Sequence, residues 1–129
     1  MSPLYLSAED ILAVAEAACD GMPIIVRDLG LLESAAHRPT AEMFGQEAYP
    51  DLFGKAAALL QSLLINHPLL DGNKRTAWLS CATFLAINGI DLVPDIDAAE
   101  ELVIAVATGA LDEVKVISQG LRALAAEAS

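Results

Sequence analysis

The sequence predicts an all-α fold, a compact bundle of about six helices in a single domain spanning residues 1–129, and three observations carry that expectation. Apolar residues fill 55% of the 129 positions, more than in an ordinary soluble domain, so the chain must close around a core. Those residues recur at helical spacing in one segment after another. No stretch alternates apolar and polar residues as a half-buried strand would, and no repeat or low-complexity run interrupts the pattern. A chain of this length buries roughly two thirds of its unfolded surface, so neither a disulfide nor a structural metal is required.

Local chemistry sets each element in turn. Ser7-Ala8-Glu9-Asp10 places a hydroxyl before an acidic first turn, and Ile11, Leu12, Val14, Ala15, Ala18 and Cys19 then repeat at helical spacing until Asp20-Gly21 ends the first helix. Met22 to Val26 is short, apolar and partly β-branched, the composition of an extended segment. Asp28 to His37 reads as a second helix, stopped by Arg38-Pro39. Residues 39–49 hold Pro39, Gly45 and the scattered aromatics Phe44 and Tyr49, and so read as an irregular connection with room for one helical turn. Pro50-Asp51 opens a third helix, since Pro suits the first helical position and Asp favours a helix N-terminus. Ala56 to Asn66 continues it almost wholly apolar, and Pro68 ends it. After the turn residues Asp71-Gly72-Asn73, Thr76 to Asn88 is apolar nearly all round, the pattern of a helix buried on most sides. Two amphipathic helices follow, Ile96 to Ala107 and Leu111 to Ala126, separated by Thr108-Gly109.

Charge narrows the function. Seven Lys and Arg against 18 Asp and Glu leave a net charge of −11, which argues against a general nucleic-acid binder, because phosphate backbones are held by clustered cations. Lys74 and Arg75 alone are adjacent cations, so any phosphate chemistry must be built at one place. The acidic remainder suits a basic or amphipathic protein partner. Cys19 and Cys81 lie in apolar stretches without a Cys-x-x-Cys pattern and read as two buried, reduced thiols of a cytoplasmic protein. The opening residues Met1 to Ser7 show neither a basic n-region nor a long apolar run, so no secretory signal is expected. The longest charge-free stretches, Ala56 to Leu70 and Ala77 to Ile90, fall short of the roughly 20 apolar residues a bilayer span needs, so no membrane is expected either.

The informative stretch is His67-Pro68-Leu69-Leu70-Asp71-Gly72-Asn73-Lys74-Arg75. It sets an imidazole, a carboxylate, a glycine, an amide and two cations between the two most apolar helices. A Gly72-Asn73 pair opening a helix leaves backbone N–H groups without partners, and with the helix dipole these form a nest for an anion. Lys74 and Arg75 add charge there, and Arg forks across two phosphate oxygens. Asp71 is the hard oxygen ligand that Mg²⁺ uses beside phosphates. His67 titrates in the range suited to a general base. Together these residues point to phosphoryl or nucleotidyl transfer to a hydroxyl. Each also has a plain structural use: His67 as a helix-end residue, Asp71 as an N-cap, Lys74 and Arg75 as solvated charges.

His67 to Arg75 resembles the Fic/Doc signature, His-x-Phe-x-Asp/Glu-Gly-Asn followed by two further residues. The match is specific at His67, Asp71, Gly72, Asn73, Lys74 and Arg75. Chain length, helical plan, Thr76, the run Arg27 to Ser34 and Asn88-Gly89 are similar to the Doc branch, the toxins of Phd/Doc toxin–antitoxin systems. The resemblance implies that His67 is the general base and that Asp71 holds Mg²⁺. It implies that the Gly72-Asn73 turn binds nucleotide phosphates with Lys74 and Arg75, both cations also serving the transfer.

Four departures from the wider family bear on the reaction. Leu69 replaces the phenylalanine that anchors the loop, an apolar swap that typically costs under about 1.5 kcal/mol. Lys74 stands at a glycine of AMP-transferring members, and Trp78 stands where those carry a second phosphate-binding arginine. Both changes resemble Doc. No Ser/Thr-x-x-x-Glu-Gly/Asn inhibitory segment occurs in the chain, so inhibition is expected from another polypeptide. The resemblance therefore implies an ATP- and Mg²⁺-dependent kinase that phosphorylates a threonine of a translation factor, with elongation factor Tu as substrate. Growth arrest would follow, under control of the C-terminal segment of a Phd-like antitoxin. Residues 38–49 are the segment expected to guide the target chain. The alternatives are AMP transfer to a protein hydroxyl, or a decayed loop on a domain that only binds a partner.

Overall fold

Six α-helices form the architecture in a computed structural model of the chain, which describes residues 2–93 and 95–125. They are α1 (Ala8–Ala18), α2 (Leu29–His37), α3 (Leu52–Asn66), α4 (Asn73–Ile87), α5 (Ile96–Ala107) and α6 (Val114–Ala123). Helix α3 is the axis, packed against α2, α4, α5 and α6. Ten of its fifteen residues are buried, on every side, which is why its run of Ala and Leu carries so little polar relief.

The local signals act where the sequence placed them. Ser7 and Asp10 form a reciprocal capping box, with bonds of 3.1 and 2.9 Å, at the start of α1. Asp28 caps α2 through the Leu31 N–H, and Asp51 caps α3 through the Gly54 N–H at 2.7 Å. Asn88, past the end of α4, clamps the N-terminal segment by bonding both the N–H and the C=O of Leu4. No helix among the described residues is long and apolar enough to cross a membrane.

Four expectations need correction. Helix α4 buries one stripe only, Thr76, Ala77, Ser80, Cys81, Phe84 and Leu85, and leaves Lys74 and Arg75 exposed and Trp78 half-buried. It also starts at Asn73, three residues before the sequence suggested, because Gly72 turns the chain directly into the helix. The last helix begins at Val114 rather than Leu111, and Ala126 lies outside the described residues. Residues 39–49 are not irregular: a 3₁₀ turn over Arg38–Thr40 leads into the hairpin strands β1 (Glu42–Met43) and β2 (Gln46–Glu47). The hairpin is fastened by Lys55 of α3, whose buried ammonium donates to Glu47 Oε1 at 3.0 Å and to the carbonyl of Tyr49 at 2.5 Å. Arg38 adds bonds to the Tyr49 hydroxyl and to Ser62 Oγ.

Candidate active site

Between α3 and α4 the chain makes two left-handed turns. His67, the C-cap of α3, sits at φ 48°, and Gly72, the N-cap of α4, at φ 81°. Leu69 between them is 1% exposed, so the leucine fills the anchoring position and holds the loop to the core. The extended segment read at Met22 to Val26 pairs with this loop: Val26 bridges Leu69, Leu70 N–H donates to Ile25, and Arg27 and Asp28 N–H groups both donate to Pro68.

Two side chains fix the loop further. Asn73 spans it, accepting from Leu69 N–H at 3.0 Å and donating to Leu69 C=O at 2.8 Å. Its amide is thereby engaged with Leu69, and what it offers a ligand is its backbone N–H. Arg27 forks across the end of α3, with Nε to the His67 carbonyl and Nη2 to the Asn66 carbonyl, each at 2.7 Å. Those are orphan acceptors of a helix C-terminus, and a guanidinium satisfies two at once.

Asp71 is not the N-cap of α4. Its Oδ1 accepts the N–H of Gly72 at 2.8 Å, while α4 has no side-chain cap at all. A side chain at Gly72 would lie 3.2 Å from Cys19 Sγ, on top of the left-handed strain, so only glycine fits there without cost. Cys19 is half-buried, against the expectation of two buried thiols; Cys81 alone is fully enclosed. Arg75 donates to the Ala18 carbonyl at 3.2 Å, which ties the start of α4 to the end of α1.

His67, Asp71, Gly72, Asn73, Lys74 and Arg75, all six residues singled out by the sequence, line one cleft of about 920 Å³. Its two cations are matched by two carboxylates, Asp71 and Glu100, in a molecule of net charge −11. The cleft is therefore the place least hostile to an anion. The described residues contain no cluster of three His, Cys, Asp or Glu placed to bind a metal. A single carboxylate beside a phosphate site still fits Mg²⁺, which takes one or two protein oxygens and completes its shell from substrate and water. Three lining features lay outside the reading of the loop: Arg27 behind it, Cys19 beneath it, and the α5 wall of Ile96, Ala99, Val103 and Ile104. For Arg27 the sequence offers no signal, since 40 positions separate it from His67.

Comparison with known proteins places this site in a family. Residues 5–85 match the family model described as Fic/DOC, a span that contains the whole loop and ends within α4. The chain belongs to the Fic/Doc family, whose members are typically transferases acting on protein hydroxyls. It is also 54% identical over 106 residues, 81% of each chain, to the protein named Toxin Doc from Mycolicibacterium smegmatis.

Proposed function

We propose that the protein is the toxin of a toxin–antitoxin system, an ATP- and Mg²⁺-dependent kinase that phosphorylates a threonine of elongation factor Tu and so arrests translation and growth. The observation that carries the chemistry is the start of α4. Its first turn has no side-chain cap, and its residues Asn73, Lys74 and Arg75 border the same cleft as His67. The relative named Toxin Doc supports the biological role, and with it an antitoxin partner of the Phd type.

In this reading His67 takes the proton of the target hydroxyl, whose oxygen forms a bond to the γ-phosphorus. The bond from that phosphorus to the bridging oxygen breaks, and ADP leaves. Lys74, Arg75 and the backbone N–H groups after Gly72 stabilise the charge on the transferring group. Asp71 would hold Mg²⁺, which neutralises phosphate charge when bound. Trp78 favours this over AMP transfer: an indole stands where phosphates deeper in the site would need a cation. Leu69, buried and bonded through its backbone, supports an intact loop over a decayed one. The β1–β2 hairpin offers the target chain an exposed strand edge.

The test is transfer from ATP labelled on the α- or the γ-phosphorus to purified elongation factor Tu. The γ-label should appear on a threonine, and His67→Ala should lose at least about 100-fold in rate while keeping its thermal unfolding profile. Transfer of α-label would make the protein an AMP transferase, and full activity in His67→Ala would remove the loop from the chemistry.

A further inference from the structure

The loop accounts for one end of the cleft; the other end is apolar. Trp78 lies one helical turn beyond Lys74 on α4, half-buried, touching the core and bordering the cleft. Ile96, Val103 and Ile104 of α5 line the same end, and α5 lies beyond the span of the family match. Ile96 is 78% and Ile104 45% exposed, apolar area that a ligand would cover. The charges are polarised along the cleft: Lys74 and Arg75 belong to the loop end, whereas the acid on the α5 wall is Glu100, which repels phosphate. A ligand that fits both ends is anionic at one end and flat and apolar at the other.

We infer that Trp78 is the platform on which the purine base of the bound nucleoside triphosphate stacks, with Ile96, Val103 and Ile104 as its apolar surround. This rests on the phosphate-binding reading of the loop and extends it to the far end of the nucleotide. An aromatic ring gains from any base, and the larger purine face gains most; stacking of one base corresponds to about 5- to 150-fold in affinity. The placement also orients the substrate. With the base held at Trp78, the triphosphate tail runs toward Lys74, Arg75 and His67, and its terminal phosphate is the one presented to the target hydroxyl.

Trp78 is the one tryptophan of the chain, so its emission reports on this subsite directly. The full chain is titrated in Mg²⁺ with ATP, UTP and inorganic tripolyphosphate, following both fluorescence and heat. ATP should quench the indole strongly, UTP less, and tripolyphosphate hardly at all. Trp78→Leu should weaken ATP about tenfold and leave tripolyphosphate unchanged, which also shows that the variant is folded; Trp78→Phe should recover most of the loss. ATP binding that leaves the emission unaltered, or equal ATP affinity in Trp78→Leu, overturns the stacking site while leaving the phosphate site standing. If neither ATP nor tripolyphosphate binds the parent chain, the phosphate reading falls and the stacking site falls with it.

Discussion

Arg27 stands 40 positions from His67 and makes two of the shortest polar contacts in the loop. Its fork on the Asn66 and His67 carbonyls keeps the end of α3 in the left-handed turn that directs His67 into the cleft. Arg27→Ala should reduce transfer by roughly tenfold or more, because small misplacements of a base are costly. Arg27→Lys, which keeps the charge without the planar fork, should recover only part of it. Comparison of single-turnover rates across parent, Ala and Lys checks this, and equal rates in all three would leave Arg27 no positioning role. Cys81 makes a different prediction. Burial pushes its thiol up from an ordinary value near 9 to about 12, because the enclosed site disfavours the thiolate. Between those values the folded state keeps a proton that the unfolded state has lost. Stability from this group is therefore full below pH 9 and declines as pH rises, by on the order of 4 kcal/mol across the window. Denaturant melts at pH 8 and pH 10 should show a steeper loss in the parent than in Cys81→Ala.

Among the elements, helix ends carry the chemistry and helix faces carry the stability. The C-terminus of α3 presents His67, the N-terminus of α4 presents the uncapped nest, and the buried stripe of α4 holds both in register against α3. The hairpin depends on a single buried cation. Lys55 is 1% exposed, pairs with Glu47, and bonds the Tyr49 carbonyl; its longer contact to the Pro39 carbonyl is 3.5 Å. Lys55→Met should cost about 2 kcal/mol, since these acceptors lose their donor while the half-exposed Glu47 regains water. The loss should be local. Hydrogen exchange at residues 42–47 should accelerate well beyond that of α3, and uniform acceleration in both would mean that Lys55 supports the core rather than the hairpin.

At the scale of the whole molecule, the net charge of −11 and the absence of an internal inhibitory segment from the sequence point to control by a separate chain. A Phd-like antitoxin segment, disordered alone, should fold as it docks and raise the melting temperature with its concentration, because it binds the folded toxin only. Its affinity should fall with added salt if basic residues contribute. A purified chain that is folded, supplied with ATP and target, and silent without any partner would count against inhibition in trans.

Local signals settled much of this. Ser7, Asp28 and Asp51 are caps where the sequence set them, α5 has the predicted limits, and the six polar residues from His67 to Arg75 share one cleft. Such features are legible because a cap, a helical stripe or a turn involves residues a few positions apart. The hairpin escaped notice because two-residue strands are too short to alternate. Packing alone decided that α3 is buried all round and α4 on one stripe, since both are similarly apolar in sequence. Distance in the chain hid Arg27 and the α5 wall, which meet the loop only once the helices close around α3. The sequence thus determined which chemistry the loop could offer, through residue types at short spacing. The tertiary structure decided what surrounds that loop, because long-range contacts leave no local pattern to read.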